Sequence, residues 1–104
     1  MHARVSTYQG PPNLAQERVE EADRYDRENI LPPLRQMDGF KGVIALQDRQ
    51  SGKWLSVTLW ESEQAMRASE EDAIRLRQQS AEAASQTVVE NVERYEVTIF
   101  EVEA

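Results

Sequence analysis

Few residues of this sequence belong to the types that carry out acid–base, nucleophilic or metal chemistry. The 104 residues include a single histidine, His2, and no cysteine, so disulfides, thiolate metal sites and cysteine nucleophiles are excluded. One histidine and scattered carboxylates do not supply the neighbouring ligands that a metal site requires. The sequence also offers no Gly-rich phosphate loop and no Ser-His-Asp arrangement. We therefore predict neither a metal site nor a bound cofactor.

Large aromatic residues are the more informative candidates. Trp60 could stack on a planar ligand as the wall of a pocket. It could also be a core aromatic that pins a strand to a helix, and this interpretation is favoured because Trp is a large hydrophobic anchor in any small core. Trp54 is predicted to serve plain packing or an interface. Tyr8, Arg35 and Tyr95 could offer polar contacts to a ligand, although such side chains usually lie at the edge of a core.

Composition excludes several classes of partner. The chain has 12 Lys and Arg against 19 Asp and Glu, a formal net charge of -7, which opposes binding to nucleic acid phosphates or to an anionic membrane surface. The N-terminus lacks the apolar core of a signal peptide, and no stretch approaches the roughly 18 to 20 apolar residues that span a bilayer. We predict a cytoplasmic protein with one domain over residues 1–104.

The stretch 38–62 gives the clearest local prediction, a β-hairpin. Two runs rich in aliphatic and β-branched residues, 40–47 and 54–60, flank a polar segment that ends in Ser51-Gly52. Elements that must position the hairpin come before and after it. In order they are a strand at 2–9, a helix capped by Asn13 that ends or kinks at Pro32, a short helix at 62–68 capped by Ser62, a helix at about 70–83 and a strand at 92–102. The resulting order β, α, β, β, α, β is that of a ferredoxin-like α+β fold, with one antiparallel sheet and its helices on one side.

Both faces of the hairpin strands are apolar. Leu55, Val57 and Leu59 alternate with the even-numbered set Trp54, Ser56, Thr58 and Trp60, whereas two helices can cover only one face. Single exposed apolar residues need no explanation, but here several strands carry them on both sides. We therefore predict a homodimer through the sheet face that the helices leave open. The even-numbered set mixes polar and aromatic residues and is predicted to be the pocket wall.

The passage TLWESEQAM at 58–66, preceded by DGFKGV at 38–43 and followed by RYEVTIFEV at 94–102, resembles the antibiotic biosynthesis monooxygenase domains of the dimeric α+β barrel superfamily. The resemblance implies a dimer whose sheets form a barrel, with a pocket in each subunit between sheet and helices. The branch that oxidises polycyclic aromatic substrates without a cofactor has an Asn four residues before the Trp and a Tyr six residues after it. Ser56 and Met66 stand at those positions here. The haem-degrading branch pairs the Trp with an Asn on the first strand and a His on the following helix. In this sequence the first strand has no Asn, and the helix that begins at Ser62 has no His.

Two functions follow as expectations. The resemblance implies a monooxygenase-like protein that binds a small hydrophobic or aromatic molecule through Trp60, Ser56 and Met66. Oxidation would then use O₂ without a cofactor on an electron-rich substrate that forms a carbanion. The alternative is a non-catalytic dimeric binding or stress-related barrel, which the missing Asn, Tyr and His favour. A cavity of roughly 300 Å³ or more with converging polar groups would indicate a ligand, and a packed interior would indicate a structural role.

Overall fold

A computed structural model describes residues 1–103, apart from the side chain of Glu90. Within this range the chain forms four strands and four helices. They are β1 (His2–Gln9), α1 (Gln16–Asn29), α2 (Leu31–Arg35), β2 (Phe40–Asp48), β3 (Lys53–Trp60), α3 (Glu63–Ala68), α4 (Glu70–Ala83) and β4 (Thr87–Glu96). None of the helices in this range has the length and apolarity needed to cross a membrane.

The four strands form one antiparallel sheet in the order β2-β3-β1-β4. Val57 of β3 lies at its centre, paired with Val5 on one side and Ile44 on the other. This is the strand order of the ferredoxin-like fold, so the predicted α+β class and the antiparallel sheet are confirmed.

The predicted hairpin is also confirmed, and a glycine at its tip closes the turn. Gly52 has a φ of 79°, a conformation that costs little only for glycine, and its N–H donates to the carbonyl of Asp48 at 2.9 Å. A Cβ at this position would collide with the backbone of Gly10 and Pro11. The hairpin tip is thereby held against the end of β1, where the Gly10 N–H donates to the Gly52 carbonyl at 2.8 Å.

The helix starts were predicted with mixed success. Ser62 caps α3 as expected, since its Oγ accepts a hydrogen bond from the Ala65 N–H at 3.1 Å. The prediction that Asn13 caps α1 is wrong. Ala15 is the N-cap and gives no side-chain bond, whereas Asn13 adopts a φ of 55° and donates its backbone N–H to the Gln50 carbonyl at 3.2 Å. Asn13 turns the chain along the hairpin tip because Asn tolerates the left-handed region.

The last strand was predicted too far along the chain. It runs over Thr87–Glu96 rather than 92–102, because its pairing partner β1 begins at His2, which lies opposite Glu96. Just beyond that point the Val97 N–H donates to the carbonyl of Met1, the residue before β1, at 2.9 Å. Three apolar residues after the strand are exposed: Ile99, Phe100 and Val102.

The helices cover one face of the sheet and leave the other open. One core cluster contains Tyr8, Val19, Trp54 and Ala81. A second contains Ile30, Leu34, Trp60 and Met66. On the opposite face, which we call the outer face, several large apolar side chains are more than a third exposed: Ile44, Leu46, Val89 and Tyr95.

Candidate functional site

A cavity of about 590 Å³ lies between the sheet and the helices. Alternate residues of the central strands form its floor, because side chains two apart on a strand point to the same face. The floor includes Arg4, Ser6, Tyr8, Trp54, Ser56, Thr58, Val43 and Ala45. The side chains over it come from α1, α2 and α4 and the residue that joins the first two: Ala22, Asp23, Asp26, Arg27, Ile30, Leu31, Leu34, Arg35, Ala73, Leu76, Arg77 and Ser80.

The three residues predicted to contact a ligand lie in two different environments, the cavity lining and the core. Ser56 lines the cavity. Trp60 and Met66 are 0 and 1% exposed and lie in the second core cluster, outside the cavity lining. Trp60 reaches the wall indirectly, since its Nε1–H donates to Thr58 Oγ1 at 2.9 Å and Thr58 lines the cavity. Contact of Trp60 and Met66 with a ligand stays a prediction.

Trp54 is the tryptophan of the cavity wall. It packs against Tyr8 and Val19 in the first core cluster and also lines the cavity. Its predicted role was plain packing or an interface, although it shares the even-numbered face of β3 with Ser56. The even-numbered face lines the cavity, as predicted. The alternation of side chains along β3 was therefore sufficient to place Trp54 on the cavity side.

Arg4 is a buried cation that the sequence analysis did not single out. Its side chain is 2% exposed, and its Nη2 donates to the Met66 carbonyl at 2.6 Å and to Ser69 Oγ at 2.8 Å. The guanidinium carbon lies 5.4 Å from the ring centroid of Trp60, within the range of a cation–π contact. Burial lowers the pKa of Arg4, and the nearby Glu70 offsets this in part. The sequence did contain a signal for Arg4, since it lies two residues before Ser6 on β1 and therefore on the same face of the strand.

Glu70 connects Arg4 to the edge of the sheet. Its Oε1 accepts from Arg94 Nε at 2.7 Å and lies 3.5 Å from Arg4 Nη2. The hydrogen bond from Arg94 is the main reason why the pKa of Glu70 lies below its usual value, and the charge of Arg4 adds to it. Sequence reasoning placed Glu70 in the first turn of α4, which is correct, but did not foresee this ion-pair network.

The other end of the cavity carries an acid and a phenol. Asp26 Oδ1 accepts a hydrogen bond from Ser80 Oγ at 2.7 Å, and burial raises the pKa of Asp26. A carboxylate with a raised pKa is a stronger base than an exposed one. Burial also raises the pKa of Tyr8 to about 12, so this hydroxyl keeps its proton near neutral pH and can donate a hydrogen bond.

The remaining polar candidates divide between the two faces. Arg35 lines the cavity together with Tyr8, whereas Tyr95 is on the outer face and half exposed. His2 Nε2 lies 3.6 Å from Glu63 Oε2 and is not part of the lining. Among the residues whose placement is described, no three His, Asp or Glu side chains are grouped as metal ligands.

Fold and site together define an α+β domain with a cavity between its sheet and its helices. The model of the antibiotic biosynthesis monooxygenase family matches residues 1–74, and the chain therefore belongs to that family. The resemblance drawn from the residues at 38–43, 58–66 and 94–102 is confirmed at the level of the family.

Two similar proteins come from Mycobacterium tuberculosis strain H37Rv. The chain is 39% identical over 71 residues to uncharacterized protein Rv2557, an alignment that covers 68% of this chain and 31% of the relative. It is 42% identical over 55 residues to uncharacterized protein Rv2558, covering 53% of this chain and 23% of that one. The chain thus spans less than a third of the length of these curated relatives.

Solved structures share the fold along nearly the whole chain. A candidate antibiotic biosynthesis monooxygenase from Deinococcus radiodurans has a TM-score of 0.64 at 17% identity, with 100% of both chains covered. The monooxygenase ActVA-Orf6 of Streptomyces coelicolor, solved with the ligand nanaomycin D, has a TM-score of 0.60 at 16% identity, covering 97% of this chain and 92% of that one. SnoaB of Streptomyces nogalater, a cofactor-independent oxygenase, has a TM-score of 0.57 at 14% identity, covering 98 and 97%. At these identities the similarity establishes the fold.

Proposed function

We propose that this protein binds a small hydrophobic or aromatic molecule in the cavity and oxidises it with O₂ without a cofactor. The observation that carries the proposal is the cavity itself: about 590 Å³, with apolar walls and convergent polar groups, one of them the half-buried carboxyl of Asp26. Ligand sites of proteins usually have this volume and this mixture of surfaces. The descriptions of ActVA-Orf6 as a monooxygenase and of SnoaB as a cofactor-independent oxygenase agree with it.

The proposed chemistry is the conversion of an activated methylene group to a carbonyl. Asp26 takes a proton from the methylene carbon, whose neighbouring rings or carbonyl stabilise the carbanion. The carbanion supplies the electrons that reduce O₂, a carbon–oxygen bond forms, and the protonated hydroperoxide loses water to leave the carbonyl. One CH₂ group and one O₂ give one C=O group and one water, so no external reductant is needed.

Named residues of the cavity have distinct roles in this proposal. Asp26 acts as the general base because its raised pKa brings it closer to the working pH. Ser56 orients the substrate by hydrogen bonding, as the sequence suggested, and Trp54 supplies an aromatic surface for a planar substrate. Trp60 and Met66 lie in the second core cluster behind the cavity lining, where they hold Thr58 and the neighbouring helices in place.

Binding without catalysis is the second candidate, and the position of Met66 favours it. In the cofactor-independent branch that this sequence resembles, a tyrosine stands at this place. Here the residue is a methionine that is 1% exposed in the core. Its thioether side chain has no hydroxyl group and therefore cannot donate a proton as a tyrosine can.

Oxygen uptake with anthrone as a probe separates the two candidates. Anthrone has a methylene group activated by two rings and a carbonyl, and its oxidation gives anthraquinone. We expect Asp26→Asn to slow protein-dependent uptake by about a hundredfold or more, because general bases contribute effects of this size. Glu28→Gln, an exposed acid on the same helix, is the control and should leave the rate unchanged. Tight binding of the probe without uptake above the buffer rate would contradict the oxygenase and support the binding protein.

We also propose that two copies pair through the outer face of the sheet to form the dimeric barrel that the family resemblance implies. Ile44, Leu46, Val89 and Tyr95 are 45, 48, 38 and 50% exposed there. A second copy could bury these apolar side chains by a self-complementary contact.

A further inference from the structure

We propose that the natural ligand carries a carboxylate group, which Arg77 and Arg4 bind at one end of the cavity while its apolar body extends towards Asp26. The inference rests on the proposed function, since it names the class of molecule that the same cavity takes. Its chemical basis is the pairing of a planar guanidinium with a planar carboxylate.

Unused hydrogen-bond donors are the first observation. Arg4 Nε and Arg77 Nη1 are buried and have no hydrogen-bond partner among the described residues, and both residues line the cavity. Buried polar groups in folded proteins nearly always have a partner, and a charged donor left without one is costly. A ligand with acceptor oxygens would satisfy both donors.

The charge balance around these donors is the second observation. Glu70 is the carboxylate nearest to Arg4 in the described ion pairs, but it already accepts a hydrogen bond from Arg94 at 2.7 Å. Arg77 forms no ion pair with a described side chain, and its charge lowers the pKa of Arg4 further. One carboxylate therefore faces three guanidinium groups, and a bound anion would reduce their mutual repulsion.

The rest of the cavity fits an anion with an apolar body. Ser6 and Tyr8 lie on the same strand as Arg4 and line the floor. Ser6 adds a neutral hydroxyl donor two residues from Arg4, and the Tyr8 hydroxyl, which keeps its proton because burial raises its pKa to about 12, adds another towards Asp26. Apolar side chains also contribute to the wall: Ile30, Leu31, Leu34, Val43, Trp54 and Leu76.

Helix α4 relates the anion site to the proposed base. Ser80, which donates to Asp26 at 2.7 Å, follows Arg77 by three residues, so the two lie about 4.5 Å apart along the helix axis. A molecule held at Arg77 would place the carbon atoms beyond its carboxylate near Asp26.

A matched pair of probes tests this inference by titration calorimetry. 2-Naphthoate and 2-naphthamide have nearly the same shape and differ in charge. We expect the wild-type protein to bind naphthoate at least about tenfold more tightly. Arg77→Gln should reduce this preference to about twofold or less, and Arg77→Lys should retain part of it. Arg75→Gln removes the same charge from an exposed position of α4 and should keep the full preference.

The outcomes separate the two proposals. Equal binding of both probes, with no effect of Arg77→Gln, would overturn the anion inference and leave small-molecule binding intact. Absence of binding by either probe up to its solubility limit would overturn both. Circular dichroism and thermal unfolding of each variant show whether it is folded, and Arg77 is chosen over Arg4 because Arg4 also donates to the Met66 carbonyl and Ser69.

Discussion

Arg4 is the residue at which the core and the cavity meet. It is almost fully buried, joins β1 to the end of α3 and the start of α4, and lies beside the ring of Trp60. Burial of a charge is costly unless hydrogen bonds and an opposite charge compensate for it. Glu70 is the compensating carboxylate, and its own pKa is lowered as a result. Replacing Glu70 should therefore affect stability in a way that depends on pH.

Glu70→Gln is expected to lower the free energy of unfolding at neutral pH by about 1–2 kcal/mol. Since the folded-state pKa of Glu70 lies below its ordinary value of 4.5, its carboxylate stabilises the fold above that pH. This contribution is lost as the pH falls through the lowered pKa. The difference between wild type and variant should thus shrink to near zero in acid, which urea unfolding at several pH values will measure. Glu71→Gln, an exposed neighbour in the same turn, is the control; a loss of equal size at every pH would contradict the ion-pair explanation.

The junctions between consecutive helices and strands determine how the side chains of the cavity are positioned. Ser69 ends α3 and begins α4, where the sequence predicted a break. Its hydroxyl does not cap α4: it donates to the Met66 carbonyl at 2.6 Å and accepts from Arg4. The hydrogen bond from the Gly10 N–H to the Gly52 carbonyl likewise holds the hairpin tip against the end of β1. It thereby aligns the strands that form the floor of the cavity. Tertiary hydrogen bonds have replaced the local ones at Ser69 because a buried cation needs acceptors.

Gly52→Ala should destabilise the protein by about 1–3 kcal/mol. Its φ of 79° is unfavourable for alanine, and the added methyl group would collide with the backbone of Gly10 and Pro11. Gly42→Ala is the matched control, since a Cβ there would meet only Leu59 Cδ1, at 3.8 Å. Thermal or urea unfolding of both variants measures the difference. Similar losses at the two positions would show that the tip does not require a glycine.

The whole molecule has two apolar regions of different kinds, the cavity under the helices and the outer face of the sheet. The first lies within one copy of the chain and is where a ligand would bind. The second is exposed, and the chain after β4 carries further exposed apolar side chains, with Ile99 81% and Val102 75% exposed. An exposed surface of this kind is typical of an interface. Pairing through the outer face and a single domain over residues 1–104 remain predictions.

Leu46→Glu should convert a dimer into a monomer, because it would place a charge among the apolar side chains of the proposed interface. Light scattering coupled to gel filtration gives the molar mass, and the wild-type protein is expected at twice the chain mass of 12.0 kDa. Ile74→Glu changes an equally apolar side chain that is 56% exposed on α4 and should leave the mass unchanged. A wild-type protein of single-chain mass would refute the proposed dimer.

The α+β class, the element order, the hairpin and the cap of α3 at Ser62 could all be predicted from the amino-acid sequence. Each of these depends on residues close together in the chain, through strand alternation, helical spacing and local capping, so the signal is local. The face of β3 that lines the cavity followed from the same alternation. Of the site itself, Ser56 was found in this way, and Tyr8 and Arg35 were named as candidates.

The end of β4, the role of Asn13 and the identity of the tryptophan that lines the cavity depend on contacts between distant parts of the chain. The strand ends where β1 no longer offers a partner at His2. Trp54 and Trp60 share one face of β3, but Ile30 and Leu34 pack with Trp60 in the core, whereas Trp54 borders the cavity. The meeting of Arg4 and Arg77 on this cavity depends on pairing and packing between residues far apart in the chain, which no local pattern encodes.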